Sequence, residues 1–466
     1  MKKQVYSAGR VGVALLLLML LAACVPPTPQ SEPEPQGLLS FDDLTAKLDS
    51  LQGAAARCLT PTGASILTTL SGSPIRPQDL FTYLNYLKQN FGNYVKSITN
   101  GSPYHVVPIR VSSYPSADAN NHPLSLSGLM WVPFTGGKHL AAPIISFQHG
   151  TQVLRSCAPS QFDADPLSVF LNKDQSGALQ NYVECIVGGL MASAGYIVLM
   201  PDYPGFGESY APHPFVHTSL GNSVRDLILA ARERLRGVVT PSDKLFLTGY
   251  SEGGYATMAG AKVAAAAGIR VTGVVPCDGP YDISGVMLIG MLSGQPVMFP
   301  WYLLYTVFGY HSAYPGYPGH QSPFDYDALL NSPYSWETPV LFNGNHTDAE
   351  LSAAVPPSVI PISMLTSGAV TSLSTQNGTA YDDLRLNNGY ANWNVAAGLV
   401  FVDCQQDDVI PYQNTVVAAT VLGGAQIVWV NPLPFVYQVL GSTHVAAFGP
   451  AMLAALTAIE TMNRGH

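Results

Sequence analysis

Charge is what this sequence has least of. Only 11% of its 466 residues are Asp, Glu, Lys or Arg, against about 25% in an ordinary globular domain. Basic residues are the scarcer kind: 21 Lys and Arg face 30 Asp and Glu, for a net charge of −9. No basic stripe is available to neutralise phosphates, so a nucleic-acid partner is excluded. With 47% hydrophobic residues, the chain is also the opposite of a disordered one, which pairs low hydrophobicity with high charge. The six cysteines contain no C-x-x-C pair and none stands near a His at zinc-ligand spacing, so neither a structural metal nor any other cofactor is expected. Beyond the N-terminus no run of 18 uncharged apolar residues occurs, and nothing later is expected to span a bilayer. What is abundant is Gly (43) and Pro (37), hence loops. The length suits one large core with a grafted accessory region.

The first residues read as an address. Lys2, Lys3 and Arg10 precede an apolar run from Val11 to Ala23, too short to cross a membrane comfortably. The run ends Leu21-Ala22-Ala23-Cys24, which resembles the bacterial lipobox, in which the Cys is lipidated and becomes the new N-terminus. A Pro-rich stretch follows up to residue 38 and suits an extended tether. The expectation is an exported bacterial lipoprotein held to the cell envelope through Cys24. Removing residues 1–23 takes away three cations and leaves the chain more acidic still.

Residues 39–100 carry weak helical patterning, with Leu80, Tyr83, Leu84 and Leu87 on one face and no obvious chemistry. From His105 onward the pattern becomes strand and helix in alternation. His105–Ser112 and Leu124–Phe134 read as strands, and Pro143–Phe147, Tyr196–Met200, Lys244–Thr248, Val271–Val275, Leu399–Val402 and Gln426–Val430 as further strands, several of them short apolar runs typical of a parallel sheet. Helices are expected near 178–194 (amphipathic), at Thr218–Arg236 closed by Gly237, at Tyr255–Ala267 and at Val445–Met462. The rhythm fails between about 281 and 395, which reads as an inserted cap. The division is then 1–23 signal, 24–38 tether, 39–280 extension and first part of the core, 281–395 cap, 396–466 second part of the core. Alternation of this kind implies a mostly parallel sheet covered on both faces, with its chemistry at the carboxyl ends of the strands.

Gly249-Tyr250-Ser251-Glu252-Gly253 sits between a strand and a helix. A turn that tight needs flanking glycines and pushes Ser251 out above the sheet in a strained conformation. Serine is a poor nucleophile at neutral pH and needs a base oriented by an acid. His444 lies between the last strand and the last helix, and Asp407 follows the strand Leu399–Val402, giving the chain order Ser, Asp, His. Asp403 and Asp408 compete for the acid; Asp407 is preferred for its position before the Val-Ile-Pro turn. For the oxyanion, preorganised backbone N–H groups are needed: Glu252, just after the nucleophile, and Thr151, after His149-Gly150 at a strand's end. His149 is expected to prop that loop. The Gly-rich loop Asp202–Ser209 lacks dinucleotide or phosphate-loop spacing and reads as structural.

Together these features resemble the α/β-hydrolase superfamily, and within it the secretory lipase family of fungal lipase A-type enzymes and bacterial relatives. The closer resemblance is carried by His149-Gly150-Thr151, Cys157-Ala-Pro-Ser160, Pro201-Asp-Tyr-Pro-Gly205, Gly249–Gly254, Asp407 and His444, from roughly residue 100 onward. It implies an α/β-hydrolase fold, a lid matching 281–395, and a serine esterase or lipase acting on a small-molecule or lipid ester. Fungal members are freely secreted, whereas this chain looks anchored. Two other readings are a serine peptidase, for which the N-terminal region is too short to build a gating β-domain, and a non-catalytic surface lipoprotein, which the complete set of catalytic residue types disfavours. With Cys24 lipidated, five cysteines remain, and Cys157–Cys185 is the pairing expected.

Overall fold

Among the described residues, eight strands hydrogen-bond into one sheet, in the order β1-β2-β4-β3-β5-β6-β7-β8. The strands are β1 (His105–Ala117), β2 (Pro123–Phe134), β3 (Ala141–Gln148), β4 (Ile197–Pro201), β5 (Thr240–Tyr250), β6 (Gly273–Cys277), β7 (Gly398–Cys404) and β8 (Gln426–Val430). The structure is a computed structural model; it describes residues 37–57, 77–134, 141–235, 239–316, 321–434 and 442–465. The signal run, Cys24, most of the tether, Cys58 and Gly237 lie outside the described residues.

β1, β2 and β4 pair antiparallel, and every later pairing is parallel. The parallel strands β4 and β6 are buried along their whole length. Their unbroken apolar composition follows from that, since both faces are covered by helices. On one face lie α4 (His217–Arg234), α5 (Glu252–Ala266) and α7 (Gln413–Val421), whose Val224, Leu227, Met258, Ala261 and Ala418 join the sheet residues Leu199, Leu247 and Val274 in one apolar core. The opposite face is covered by α3 (Gln175–Ser193) and α8 (Thr443–Arg464).

Over α3 and α8 lies a helical pair from the N-terminal extension, α1 (Phe41–Arg57) and α2 (Pro77–Ile98). The buried residues Leu80, Leu84, Leu87, Phe91 and Val95 recur at helical spacing along α2, so the weak apolar face seen in the sequence is what docks it. This layer also explains a correction. α3 is not amphipathic: from Gly177 to Ser193 it is buried everywhere but at Gln180. A helix with sheet below and helices above has no solvent face. α8 is long and apolar enough to cross a membrane, yet Ala447, Ala451, Ala455 and Ile459 are buried in the same core.

The pairing Cys157–Cys185 does not form. Cys157, Cys185, Cys277 and Cys404 are all free and buried. The Cys157 thiol faces Asn172 and the Asp174 carbonyl, while that of Cys185 faces Asn181 one turn back on its own helix.

Between β6 and β7, the described residues hold helices and no strand of the sheet. The longest is α6 (Trp301–Ala313), apolar nearly all round. It packs with Phe299, Phe342, Leu351 and Met364 into a core of its own that also touches Phe215 and Tyr255 of the sheet domain. A helix apolar on all sides must be covered on all sides. The irregular segment is therefore a folded helical cap seated over the carboxyl ends of the strands.

Candidate active site

Ser251 stands between β5 and α5 with φ 61° and ψ −125°. A non-glycine residue there is strained, at a cost of about 1–3 kcal/mol. Its neighbours make any other course of the chain difficult. A Cβ on Gly249 would lie 2.4 Å from the Gly253 carbonyl oxygen, and one on Gly253 would lie 2.1 Å from the Gln148 carbonyl oxygen. The glycines exist because two strand ends and a helix start occupy one small volume. The Ser251 amide donates to the Cys277 carbonyl at 3.0 Å, which ties the turn to β6.

His444 is the second residue of α8 and is buried. Its Nδ1 lies 2.5 Å from Asp407 Oδ2, which leaves Nε2 clear of that carboxylate. The Asp407 side chain is fully buried, and its Oδ1 accepts the amides of Val409 (2.8 Å) and Ile410 (2.7 Å). Such hydrogen bonds to a carboxylate are each worth about 1.5–3 kcal/mol and fix its aim. Asp408 does different work. Its oxygens accept the Ser442 hydroxyl (2.7 Å) and the amides of Thr443 (3.0 Å) and His444 (3.2 Å), holding the start of α8. Tyr250, beside the nucleophile, donates its hydroxyl to the His444 carbonyl at 2.6 Å. Of the competing acids, the geometry brings Asp407 to His444 and leaves Asp408 on the backbone.

Burial disfavours the charged imidazolium. Asp407, by charge and hydrogen bond, then Asp278 and Asp408, outweigh it, and the His444 pKa rises above its ordinary 6.5. Asp278 and Asp403 form a pair that the sequence reading did not anticipate. Parallel pairing of Cys277 with Val402 puts the next residue of each strand side by side. Asp278 Oδ1 accepts the Cys404 amide at 2.7 Å and Asp403 Oδ2 accepts the Thr415 hydroxyl, while the buried Asp278 Oδ2 and Asp403 Oδ1 have no hydrogen-bond partner. Burial, then the charge of Asp407, raises Asp278; burial, then the charges of Asp278 and Asp407, raises Asp403. Burial and repulsion keep the two from both being charged.

The other predicted site residues also meet here. Thr151 and Ser251 border the same two cavities, and Glu252 borders one of them. The first amide of a helix has no acceptor within it, and Glu252 N–H is in that position. The loop carrying Thr151 is braced by α3: Glu184 Oε1 accepts the Gly150 amide (3.2 Å), and Gln180 donates to Glu184 (3.1 Å) and to the Thr151 carbonyl (3.4 Å). Burial pushes Glu184 up to about 7, opposed by the Gly150 and Gln180 hydrogen bonds. His149 props the loop from the other side, with Nδ1 2.7 Å from the Gly150 carbonyl and its ring stacked 4.1 Å from Tyr203. The Glu252 side chain points away from its amide, to His213 Nε2 (2.7 Å) and the cap residue Tyr305 (3.0 Å). The loop after β4 is structural: buried Asp202 accepts the Ser127 hydroxyl (2.5 Å) and the Ser160 amide (3.0 Å).

Two cavities flank Ser251, with Thr151 and Tyr302 bordering both. One, of about 130 Å³, runs between the extension and α8, past Leu80, Tyr83, Val183, His444 and Phe448. The other, of about 100 Å³, runs under the cap past Glu252, Leu303, Leu365 and Ile410.

The sequence model of the family described as the alpha/beta hydrolase family matches residues 185–456. Among curated proteins, none matches this sequence. By structure the chain is similar to a candidate hydrolase from Legionella pneumophila, with a TM-score of 0.65 and 21% identity over 93% of this chain and 97% of that one. It is similar to the rice cell wall degrading esterase LipA from Xanthomonas oryzae, with a TM-score of 0.60 and 19% identity over 80% of this chain and 94% of that one. Candida antarctica lipase A in its closed state gives a TM-score of 0.51 and 19% identity over 71% of this chain and 73% of that one. At such identities the likeness is one of fold.

Proposed function

The chain belongs to the alpha/beta hydrolase family, and from that premise we propose that it is a serine-dependent carboxylic-ester hydrolase. The observation that carries the reading is a strained serine on a strand-to-helix turn, bordering one cavity with a histidine whose far nitrogen is held by a buried carboxylate. Ser251 Oγ attacks the ester carbonyl carbon while its proton passes to His444 Nε2. The Thr151 and Glu252 amides hold the oxyanion, each worth roughly 10²–10³ in rate. The carbon–oxygen bond to the alcohol breaks as His444 returns the proton to the leaving oxygen. Water then repeats the sequence on the acyl-enzyme and frees the acid. Asp407 fixes the imidazole tautomer and balances its charge. Esterase and lipase are also the names carried by two of its structural neighbours. The described N-terminal residues form helices rather than a β-domain, which favours esters over peptides.

Hydrolysis of p-nitrophenyl butyrate by the purified protein tests the reading. Ser251→Ala is expected to lower kcat/KM by about 10⁴-fold or more with the melting temperature preserved; retained turnover would end the assignment. Export and lipidation at Cys24 complete the proposal, on the sequence of the first 38 residues. Labelled palmitate should enter the protein expressed in a bacterium and be lost in Cys24→Ala.

A further inference from the structure

We infer that the N-terminal helical extension builds the alcohol subsite, and that the substrates are esters whose alcohol is apolar and sizeable, an aryl, arylalkyl or medium-chain alkyl alcohol. The inference rests on the ester-hydrolase reading above and adds sidedness to it. Proton transfer sets the side. His444 must hand its proton to the leaving oxygen, so the alcohol leaves from the side of Ser251 on which the imidazole stands. Of the two cavities that share Ser251 and Thr151, His444 borders the first and not the second. The alcohol belongs in the first. The acyl group is left with the second, which Glu252 borders.

The walls of the first cavity then define the alcohol. Leu80 and Tyr83 come from α2, Leu179 and Val183 from α3, and Val445 and Phe448 from α8. All six are apolar or aromatic, and Leu80 and Tyr83 are held in place by packing, at 1% and 5% exposed. Ser176, Gln180, Glu184 and Asp348 also border this cavity. Gln180 is spent on Glu184 and the Thr151 carbonyl, Ser176 on Asp174 and Asp348, and Glu184 Oε1 on the Gly150 amide, while the buried Glu184 Oε2 has no hydrogen-bond partner. An apolar alcohol would leave water for these walls, whereas methanol or ethanol would leave them untouched. The extension carries none of the reacting groups, yet it closes the space into which the leaving group must pass.

Two measurements test the assignment. In the first, the native protein is treated with O-butyl O-(p-nitrophenyl) hexylphosphonate, which loses p-nitrophenol to Ser251 and leaves an O-butyl arm in the alcohol position and a P-hexyl arm in the acyl position. A crystal structure of the adduct should place the O-butyl arm between Leu80 and Phe448 and the hexyl arm under the cap. The reverse placement overturns the inference and leaves the catalytic reading standing. Failure to modify Ser251 overturns both. In the second, Leu80→Phe, a conservative filling of the cavity, should lower kcat/KM for benzyl and 2-naphthyl butyrate about tenfold relative to methyl butyrate. The p-nitrophenyl acetate-to-octanoate profile should keep its shape. A shifted acyl profile with unchanged alcohol preference contradicts the assignment, and Tyr83→Ala, which enlarges the cavity, should move alcohol preference the other way.

Discussion

At the scale of single residues, two adjacent acids divide the work. Asp407 has one oxygen on His444 and the other on two backbone amides; Asp408 spends both on the start of α8. Asp407→Asn can keep its backbone contacts but supports the wrong tautomer, so kcat/KM should fall by about 10³–10⁴ with little change in stability. Asp408→Asn should chiefly lower the melting temperature. The pH profile follows from charge. A general base must be neutral, and the carboxylates around His444 raise its pKa, so kcat/KM should fall as pH drops through a value above 6.5. Asp278→Asn removes one of those charges and should move this acidic limb to lower pH, by roughly one unit. Asp403, raised by burial and by the Asp278 charge, holds its proton, so Asp403→Asn removes no charge and should leave the limb in place. Pre-steady-state rates over pH 5–9 distinguish the two.

At the scale of elements, the turn around Ser251 was legible because its glycines answer a steric demand that leaves a local pattern. Gly253→Ala would force a Cβ within 2.1 Å of a backbone oxygen. It should cost about 3 kcal/mol or more, seen as a clear drop in the thermal midpoint. The buried strands were legible for a similar reason, since both their faces are apolar. What the sequence concealed were relations between elements. The pair Asp278 and Asp403 exists only once β6 and β7 are in register. The bracing of Thr151 by Gln180 and Glu184 needs α3 to lie under that loop; its one local trace was a carboxylate among the apolar residues Val183, Cys185 and Ile186. α1 and α2 looked weak because their apolar faces match α3 and α8, which no pattern within them records.

At the scale of the whole molecule, the scarcity of charge has a location. Apolar residues fill three cores, two on the faces of the sheet and one inside the cap, and line both cavities beside Ser251. The few buried acids that remain affect stability as a function of pH. Glu184 is pushed from 4.5 up to about 7 by burial, so the folded state holds its proton more tightly than the unfolded one. Its contribution is present below pH 4.5 and is lost as pH rises to about 7. The thermal midpoint of the native protein, relative to Glu184→Gln, should therefore decline across that window and level off above it.

The central claim is that Ser251 is the nucleophile of an ester hydrolase, and its most direct test is covalent. Intact-protein and peptide mass spectrometry after brief exposure to a fluorophosphonate should find one phosphonyl group, on the peptide containing Ser251, and none after heat denaturation or in His444→Ala. An unlabelled native protein, or a label on another residue, would contradict the account.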